Sequence, residues 1–175
     1  MRNAAFIGVG LLLILIQANL YRLIGRFELH GATPSLVLPL VIFLGVHETS
    51  TVRGAALSFV IGYLLDILAS APIGLFTFVM VLVWLLSRAA GVRLTAQTVL
   101  TRISLAFGFA LVESFVVLTL LAIFGTDTRR PLEMVSIVLP RALATAICAP
   151  VIFSIAHKLH QSTAVAHASG GEAAR

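Results

Sequence analysis

The sequence predicts an all-α, polytopic membrane helix bundle with six transmembrane helices, the second of which is short or re-entrant. Hydrophobic residues make up 59% of the chain and charged residues only 11%, whereas a soluble domain carries about 25% charged residues. The apolar runs approach the roughly 20 residues that a spanning helix needs, and the polar gaps are too short to fold alone. We therefore expect residues 1–160 to form one transmembrane domain and residues 161–175 to form a disordered cytoplasmic tail.

Five apolar runs are good candidates for spans. They are Ala4–Ile24, Gly54–Ala69, Pro72–Ala90, Ile103–Phe124 and Met134–Ala156. The first run shows no small-x-small cleavage site after its core, so we predict a span rather than a signal peptide. A sixth run, Pro34–Val46, is too short to cross comfortably and contains Pro39. It is either a tilted short helix or a re-entrant segment covered by its neighbours.

The basic residues predict the orientation. With the N-terminus inside, the positive-inside rule favours two cytoplasmic termini. The cytoplasmic side then holds Arg2, Arg53, Arg88, Arg93, Arg102, Lys158 and Arg175, and the opposite side holds Arg22, Arg26, Arg129 and Arg130. The net charge of +5 comes from residues scattered singly over loops, which favours contact with the lipid bilayer over nucleic-acid binding. If the sixth run did not cross, the termini would lie on opposite sides.

The third span carries a stripe of small and polar side chains. Gly54, Ser58, Gly62, Asp66 and Ser70 recur at every fourth position, which places them on one helix face. Such a face is typical of a membrane helix that packs closely against another helix. That helix belongs either to this chain or to a partner protein.

Asp66 is the single acidic residue of this span, and it lies just before the turn at Ser70–Pro72. A carboxylate inside hydrocarbon is costly, so it usually faces a helix interface or a cavity. Three roles are open: a packing or capping carboxylate that holds the turn, a contact with a partner or polar pocket, and a proton-relay or catalytic role.

Glu113 lies near the middle of the fifth span, and Arg141 lies within the last span. A bare charge at the centre of a bilayer costs about 2.5–3.5 kcal/mol on insertion scales. Glu113 therefore either carries a proton or pairs with a cation. We expect an intramembrane ion pair, Glu113–Arg141 or Asp66–Arg141, with simple extension of Arg141 toward the interface as the alternative.

The sequence lacks the familiar catalytic patterns. It contains no glycine-rich phosphate loop, no G-x-S-x-G and no C-x-x-C. His157 and His160 share a helix face, but two histidines are fewer ligands than a zinc site needs. We therefore expect no catalytic residues, no metal and no cofactor, and a scaffold or binding module rather than an enzyme.

One segment resembles a known family. Its pattern is Gly62-x-x-x-Asp66 followed by Pro72-x-Gly74, which is similar to the signature of the rod shape-determining protein MreD family. The short, proline-containing second run and the carboxylate Glu113 in the fifth span agree with that family in outline. The remainder of the resemblance is hydropathy, which many membrane proteins share.

The resemblance implies a non-enzymatic inner-membrane component of the elongasome, which organises lateral peptidoglycan synthesis and rod cell shape in bacteria. It implies direct binding to MreC, a single-span protein, in a complex with MreB, RodA and a penicillin-binding transpeptidase. It also implies a fold similar to the substrate-binding subunits of energy-coupling-factor transporters. We expect the stripe Gly54–Ser70, or the turn with Pro72 and Gly74, to help position the span of MreC. The alternative is that the stripe packs only against this chain's own helices.

A second function remains open at this point. A substrate-binding subunit of an energy-coupling-factor vitamin transporter would also be a six-helix bundle. It would need a polar-lined pocket near the outer face, with small residues on the first helix to dock its partner. Ala4 and Gly8 offer a faint version of that docking face.

Overall fold

The computed structural model describes residues 2–25, 33–48, 50–69, 72–91, 99–124 and 130–172. These residues form six helices and no strand, which confirms the all-α prediction. The helices are α1 Arg2–Gly25, α2 Val37–His47, α3 Thr51–Leu68, α4 Leu75–Gly91, α5 Val99–Phe124 and α6 Arg130–Glu172.

Four of these six helices are long and apolar enough to cross a membrane. Their candidate spans are Asn3–Arg22, Thr51–Leu68, Leu100–Phe124 and Ile137–Gln161. The other two, α2 and α4, have 11 and 17 residues. Helix α4 begins at Leu75 rather than at Pro72, because the preceding residues form a turn in which the Leu75 amide donates to the Pro72 carbonyl over 3.1 Å.

Helix α2 occupies the centre of the bundle. Every residue from Val37 to Gly45 is buried, and α2 packs against each of the other five helices. Its neighbours shield it from lipid, so its 11 residues need not match the hydrocarbon thickness that sets the length of a lipid-facing helix. Pro39 lies in the first turn of α2, where a helix has no intrahelical partner for the amide that proline lacks.

Helix α6 is longer than the span that the sequence predicted. It contains Pro140 and Pro150 and continues to Glu172, whereas we expected a disordered tail from residue 161. Alanines at 164, 166 and 168 are compatible with this helical backbone, because alanine has the highest intrinsic helix propensity. The division of the chain into a membrane domain and a tail stays a prediction.

The contacts define two ends of the bundle. At one end, Arg88 of α4 donates to the Glu48 carbonyl over 2.8 Å, and Arg53 of α3 lies 3.6 Å from the Glu48 carboxylate. We call this the basic end; Arg102 at the start of α5 and His157 of α6 line a cleft there with His47, and Lys158 follows His157. The turn between α3 and α4, with Asp66 beside it, lies at the opposite end.

Candidate functional site

Asp66 caps the N-terminus of α4 from the neighbouring helix α3. Its Oδ1 accepts from the Phe76 amide over 2.7 Å, and its Oδ2 accepts from the Gly74 and Thr77 amides, each over 3.0 Å. Oδ2 also accepts from the Thr77 hydroxyl over 2.5 Å. The first amides of a helix have no partner within the helix, and the helix dipole favours an anion there. Of the three roles that the sequence left open, this geometry is that of a capping carboxylate.

The glycines of the stripe allow α4 to approach α3 closely. A Cβ at Gly62 would lie 2.7 Å from Thr77 Cα and 2.9 Å from the Phe76 carbonyl oxygen. A Cβ at Gly54 would lie 2.5 Å from Trp84 Nε1. The contacts at Gly62 are with backbone, which cannot move aside as a flexible side chain does, so only glycine fits without shifting a helix.

The stripe is therefore covered by this chain's own α4. Gly54, Ser58, Gly62 and Asp66 are all buried, and the Ser58 hydroxyl donates to the Gly54 carbonyl over 2.9 Å within α3. Of the two neighbours that the sequence left open for this face, a helix of this chain or a partner protein, the structure has this chain's α4 against Gly54, Gly62 and Asp66. Ser70, the fifth member of the stripe, lies outside the described residues.

The turn before α4 remains accessible. Pro72 and Gly74 are exposed, and Ile73 between them is 84% exposed. Gly74 has a φ of +99°, a left-handed conformation that favours glycine over residues with a Cβ. Its amide donates to Asp66 over 3.0 Å, so the turn is tied to the capping carboxylate. These two residues are the part of the predicted interface that the structure leaves open to a second molecule.

Glu113 and Arg141 form the second polar centre of the bundle. Arg141 Nη2 lies 3.3 Å from Glu113 Oε1, and the Ser35 hydroxyl donates to the same oxygen over 3.2 Å. Glu113 is only 1% exposed. Of the two pairings that the sequence left open, the structure has this one, since Asp66 accepts from α4 instead.

Three further side chains complete this centre, and the sequence did not single them out. The Ser35 amide donates to Thr145 Oγ1 over 2.9 Å, and the Leu36 amide donates to Gln17 Oε1 over 2.9 Å. We call Gln17, Ser35, Glu113, Arg141 and Thr145 the polar cluster. Gln17 and Thr145 accept from the backbone amides just before α2, whereas the Ser35 hydroxyl donates to Glu113. The sequence did contain one indication of the polar cluster, because positions 17 and 145 carry polar side chains in the middle of predicted spans.

The polar cluster is not fully satisfied. Glu113 Oε2 and Arg141 Nε are buried and have no hydrogen-bond partner among the described residues. Buried polar atoms are usually paired, so each unpaired atom calls for an explanation such as a bound water or ligand. No three His, Cys, Asp or Glu side chains in the described ranges are arranged to hold a metal ion.

Comparison with protein-family models, with curated proteins and with solved structures found no match to this chain. The functional interpretation therefore rests on the geometry of two centres. One is the capped α3–α4 hairpin with its exposed turn, and the other is the partly satisfied polar cluster at the start of α2.

Proposed function

We propose that this chain is a non-enzymatic scaffold of the bacterial inner membrane, of the kind that the MreD family provides to the elongasome. In this proposal both termini are cytoplasmic and all six helices belong to the membrane domain, with α2 as an enclosed short segment and an overall fold similar to energy-coupling-factor substrate-binding subunits. The scaffold binds MreC directly and works in a complex with MreB, RodA and a penicillin-binding transpeptidase. Its role is to help organise lateral peptidoglycan synthesis and rod shape.

The observation that carries the proposal is the cap that Asp66 forms on α4. The family-like pattern consists of residues that together fix α3, α4 and the turn between them. These residues are Gly62, Asp66, Pro72 and Gly74. A preorganised element binds a partner with a smaller loss of conformational entropy than a flexible one. A locked hairpin with an exposed turn therefore suits a protein whose work is to hold another helix in position.

Because α4 covers the stripe of α3, MreC would have to bind a different surface of this chain. On the outer side of α3, Phe59, Tyr63 and Ile67 are 53%, 46% and 58% exposed. We call these three residues the outer α3 face. The rings of Phe59 and Tyr63 are nearly parallel, with centroids 6.5 Å apart, so they form an aromatic surface on α3, and Ile67 follows one helical turn closer to the exposed turn. Aromatic residues are enriched where protein interfaces bind most strongly.

Site-specific photo-crosslinking tests this surface. A photoreactive phenylalanine analogue replaces Tyr63 in one variant and Phe115 in the matched control, since Phe115 is an aromatic residue of α5 with 71% exposure. With MreC coexpressed, we expect a covalent adduct from position 63 and little or none from position 115. Adducts from both positions, or from position 115 alone, would contradict the outer α3 face as the binding surface. If MreC also fails to copurify with the full chain, the scaffold function itself fails.

One observation favours the transporter alternative. The unpaired Glu113 Oε2 and Arg141 Nε are buried together in the polar cluster, and a small molecule with complementary donors and acceptors would satisfy both atoms. Mass spectrometry of small molecules extracted from the purified protein distinguishes the two functions. A vitamin-like compound that is present in the wild type and lost in Glu113→Gln would favour the transporter subunit. Recovery of MreC without such a compound favours the scaffold.

A further inference from the structure

A half-open cleft lies at the basic end of the bundle, where α2, α5 and α6 meet. The cleft is shallow: its cavity volume is about 10 Å³, so any ligand larger than a water molecule would lie across its open mouth. The polar side chains that line it are His47, Arg102 and His157, and the apolar ones are Phe43, Val46, Leu105 and Phe153. Phe43 and Phe153 are 2% and 4% exposed, so the accessible lining consists of the basic side chains together with the partly exposed Val46 and Leu105.

Three histidine rings at the basic end contact the ring of Phe43. The His47 ring stacks on Phe43 with centroids 4.2 Å apart and an interplanar angle of 13°. The rings of His157 and His160 meet Phe43 edge-on, at 6.5 and 6.2 Å. Three imidazoles from α2 and α6 thus surround one aromatic ring, and His47 lies 6.3 Å from His157.

The described lining of the cleft contains no carboxylate. Among the side chains that the structure describes, three are acidic, and each interacts with a group outside the cleft. Glu48 pairs with Arg53, Asp66 binds the start of α4, and Glu113 pairs with Arg141. Glu48, the residue next to His47, is 4% exposed and its ion pair faces α3. The lining therefore offers no negative charge to balance Arg102.

His47 couples the charge of the cleft to pH. Its Nδ1 lies 3.3 Å from the Phe43 carbonyl oxygen, which only accepts, so Nδ1 donates and Nε2 gains a proton only in the charged ring. Burial lowers the pKa of His47 below its ordinary value, the Phe43 bond partly opposes this, and His157, His160 and Arg102 lower it further. An anion in the cleft would reverse the effect of these positive neighbours and favour the protonated ring.

We propose that this cleft binds the phosphate group of an anionic phospholipid, with Arg102, His157 and protonated His47 around the phosphate. Val46 and Leu105 are partly exposed beside the basic side chains, which favours a lipid over a free phosphate ion, because only the lipid has glycerol and acyl groups that would contact them. Basic pockets between transmembrane helices are general binding sites for anionic headgroups. Binding is coupled to proton uptake by His47 and strengthens as the pH falls.

Lipid binding to the full chain in nonionic detergent tests this proposal. The probes are dioleoylphosphatidylglycerol, dioleoylphosphatidylcholine and sodium phosphate, and the readouts are bound lipid by native mass spectrometry and the melting temperature. We expect phosphatidylglycerol to bind about ten-fold more tightly than phosphatidylcholine. This preference should increase between about pH 8 and about pH 6, where imidazoles titrate.

The variants locate the effect. Arg102→Gln and His157→Gln, tested separately, should each reduce the preference for phosphatidylglycerol about ten-fold. Lys158→Gln is the matched control, because Lys158 is an exposed cation next to His157 that does not line the cleft. It should change the preference less than about two-fold. If one lining variant does not fold, the other carries the same comparison with the control.

Three results would overturn the proposal. The first is equal binding of the two lipids. The second is an equal loss in the Lys158→Gln control, which would mean that general surface charge attracts the lipid. The third is stabilisation by sodium phosphate alone that matches that of phosphatidylglycerol, since it would indicate a site for a free anion rather than for a lipid.

Discussion

Asp66 and Glu113 are both nearly inaccessible carboxylates, 2% and 1% exposed, but the fold accommodates them in opposite ways. Asp66 receives four hydrogen bonds from Gly74, just before α4, and from Phe76 and Thr77 in its first turn, and three of the four come from backbone amides. Glu113 receives one bond from Ser35 and one from Arg141, both on a single oxygen. The comparison shows that the N-terminus of α4 provides hydrogen bonds to both carboxylate oxygens of Asp66. The pairing of Glu113 with Arg141 leaves Glu113 Oε2 and Arg141 Nε without a hydrogen-bond partner among the described residues.

The largest expected loss of stability comes from removing the Asp66 carboxylate, and it distinguishes the Asp66 cap from the Glu113–Arg141 pair. Asp66→Ala removes the acceptor for three amides and one hydroxyl, and buried donors without partners are costly. We expect the free energy of unfolding in detergent to fall by about 3–5 kcal/mol. Asp66→Asn keeps one acceptor oxygen and should lose clearly less. A wild-type melting curve for Asp66→Ala would mean that the cap contributes nothing to stability.

Removing the cation from the second centre should have a smaller effect. Arg141→Met leaves Glu113 without its charged partner, but a proton on Glu113 removes the charge. We therefore expect a loss of about 2–3 kcal/mol. The double variant Glu113→Gln/Arg141→Met, which has no buried charge, should be more stable than Arg141→Met alone. If the double variant is instead less stable than Arg141→Met, the pairing of these two residues is not the source of the loss.

The glycine at the closest approach of α3 and α4 gives the next effect. Gly62→Ala introduces a Cβ against backbone atoms of α4, which forces the helices apart and weakens the bonds to Asp66. We expect a loss of about 1–3 kcal/mol by thermal unfolding. Gly108→Ala is the control, because nothing lies within 4 Å of a Cβ at that exposed position of α5. Equal effects at the two positions would show that helix propensity, not close packing, determines the outcome.

The smallest effect concerns His47, a partly exposed imidazole at the end of α2 that lacks the dense hydrogen bonding of Asp66. Because burial lowers the pKa of His47 in the folded state, the unfolded chain binds more protons there. Stability should therefore be fully present above the ordinary histidine pKa of about 6.5 and decrease as the pH falls below it. Thermal unfolding between about pH 8 and about pH 5 should show this slope without anionic lipid, and His47→Gln should flatten it. An unchanged slope in His47→Gln would assign the effect to other groups.

The sequence predicted the helices better than their arrangement. The length and composition of its apolar runs were enough for the all-helical class, because a helix satisfies its own backbone within lipid wherever it lies. The spacing of Gly62 and Asp66 also predicted a closely packed face. The sequence could not predict which helix covers that face, because a row of small residues can pack against any helix of suitable shape. Gln17, Ser35 and Thr145 were missed, because their shared role depends on helices α1, α5 and α6 meeting around the start of α2.

The amino-acid sequence by itself determined that this chain forms apolar helices with a few costly polar groups inside them. Only the tertiary structure decided that α2, the shortest helix, is the centre of the bundle, and that Asp66 binds α4 while Glu113 binds Arg141. The physical reason is that hydropathy and helix periodicity are local properties of the chain. The choice of partner for a buried charge depends instead on distances between segments that are far apart along it.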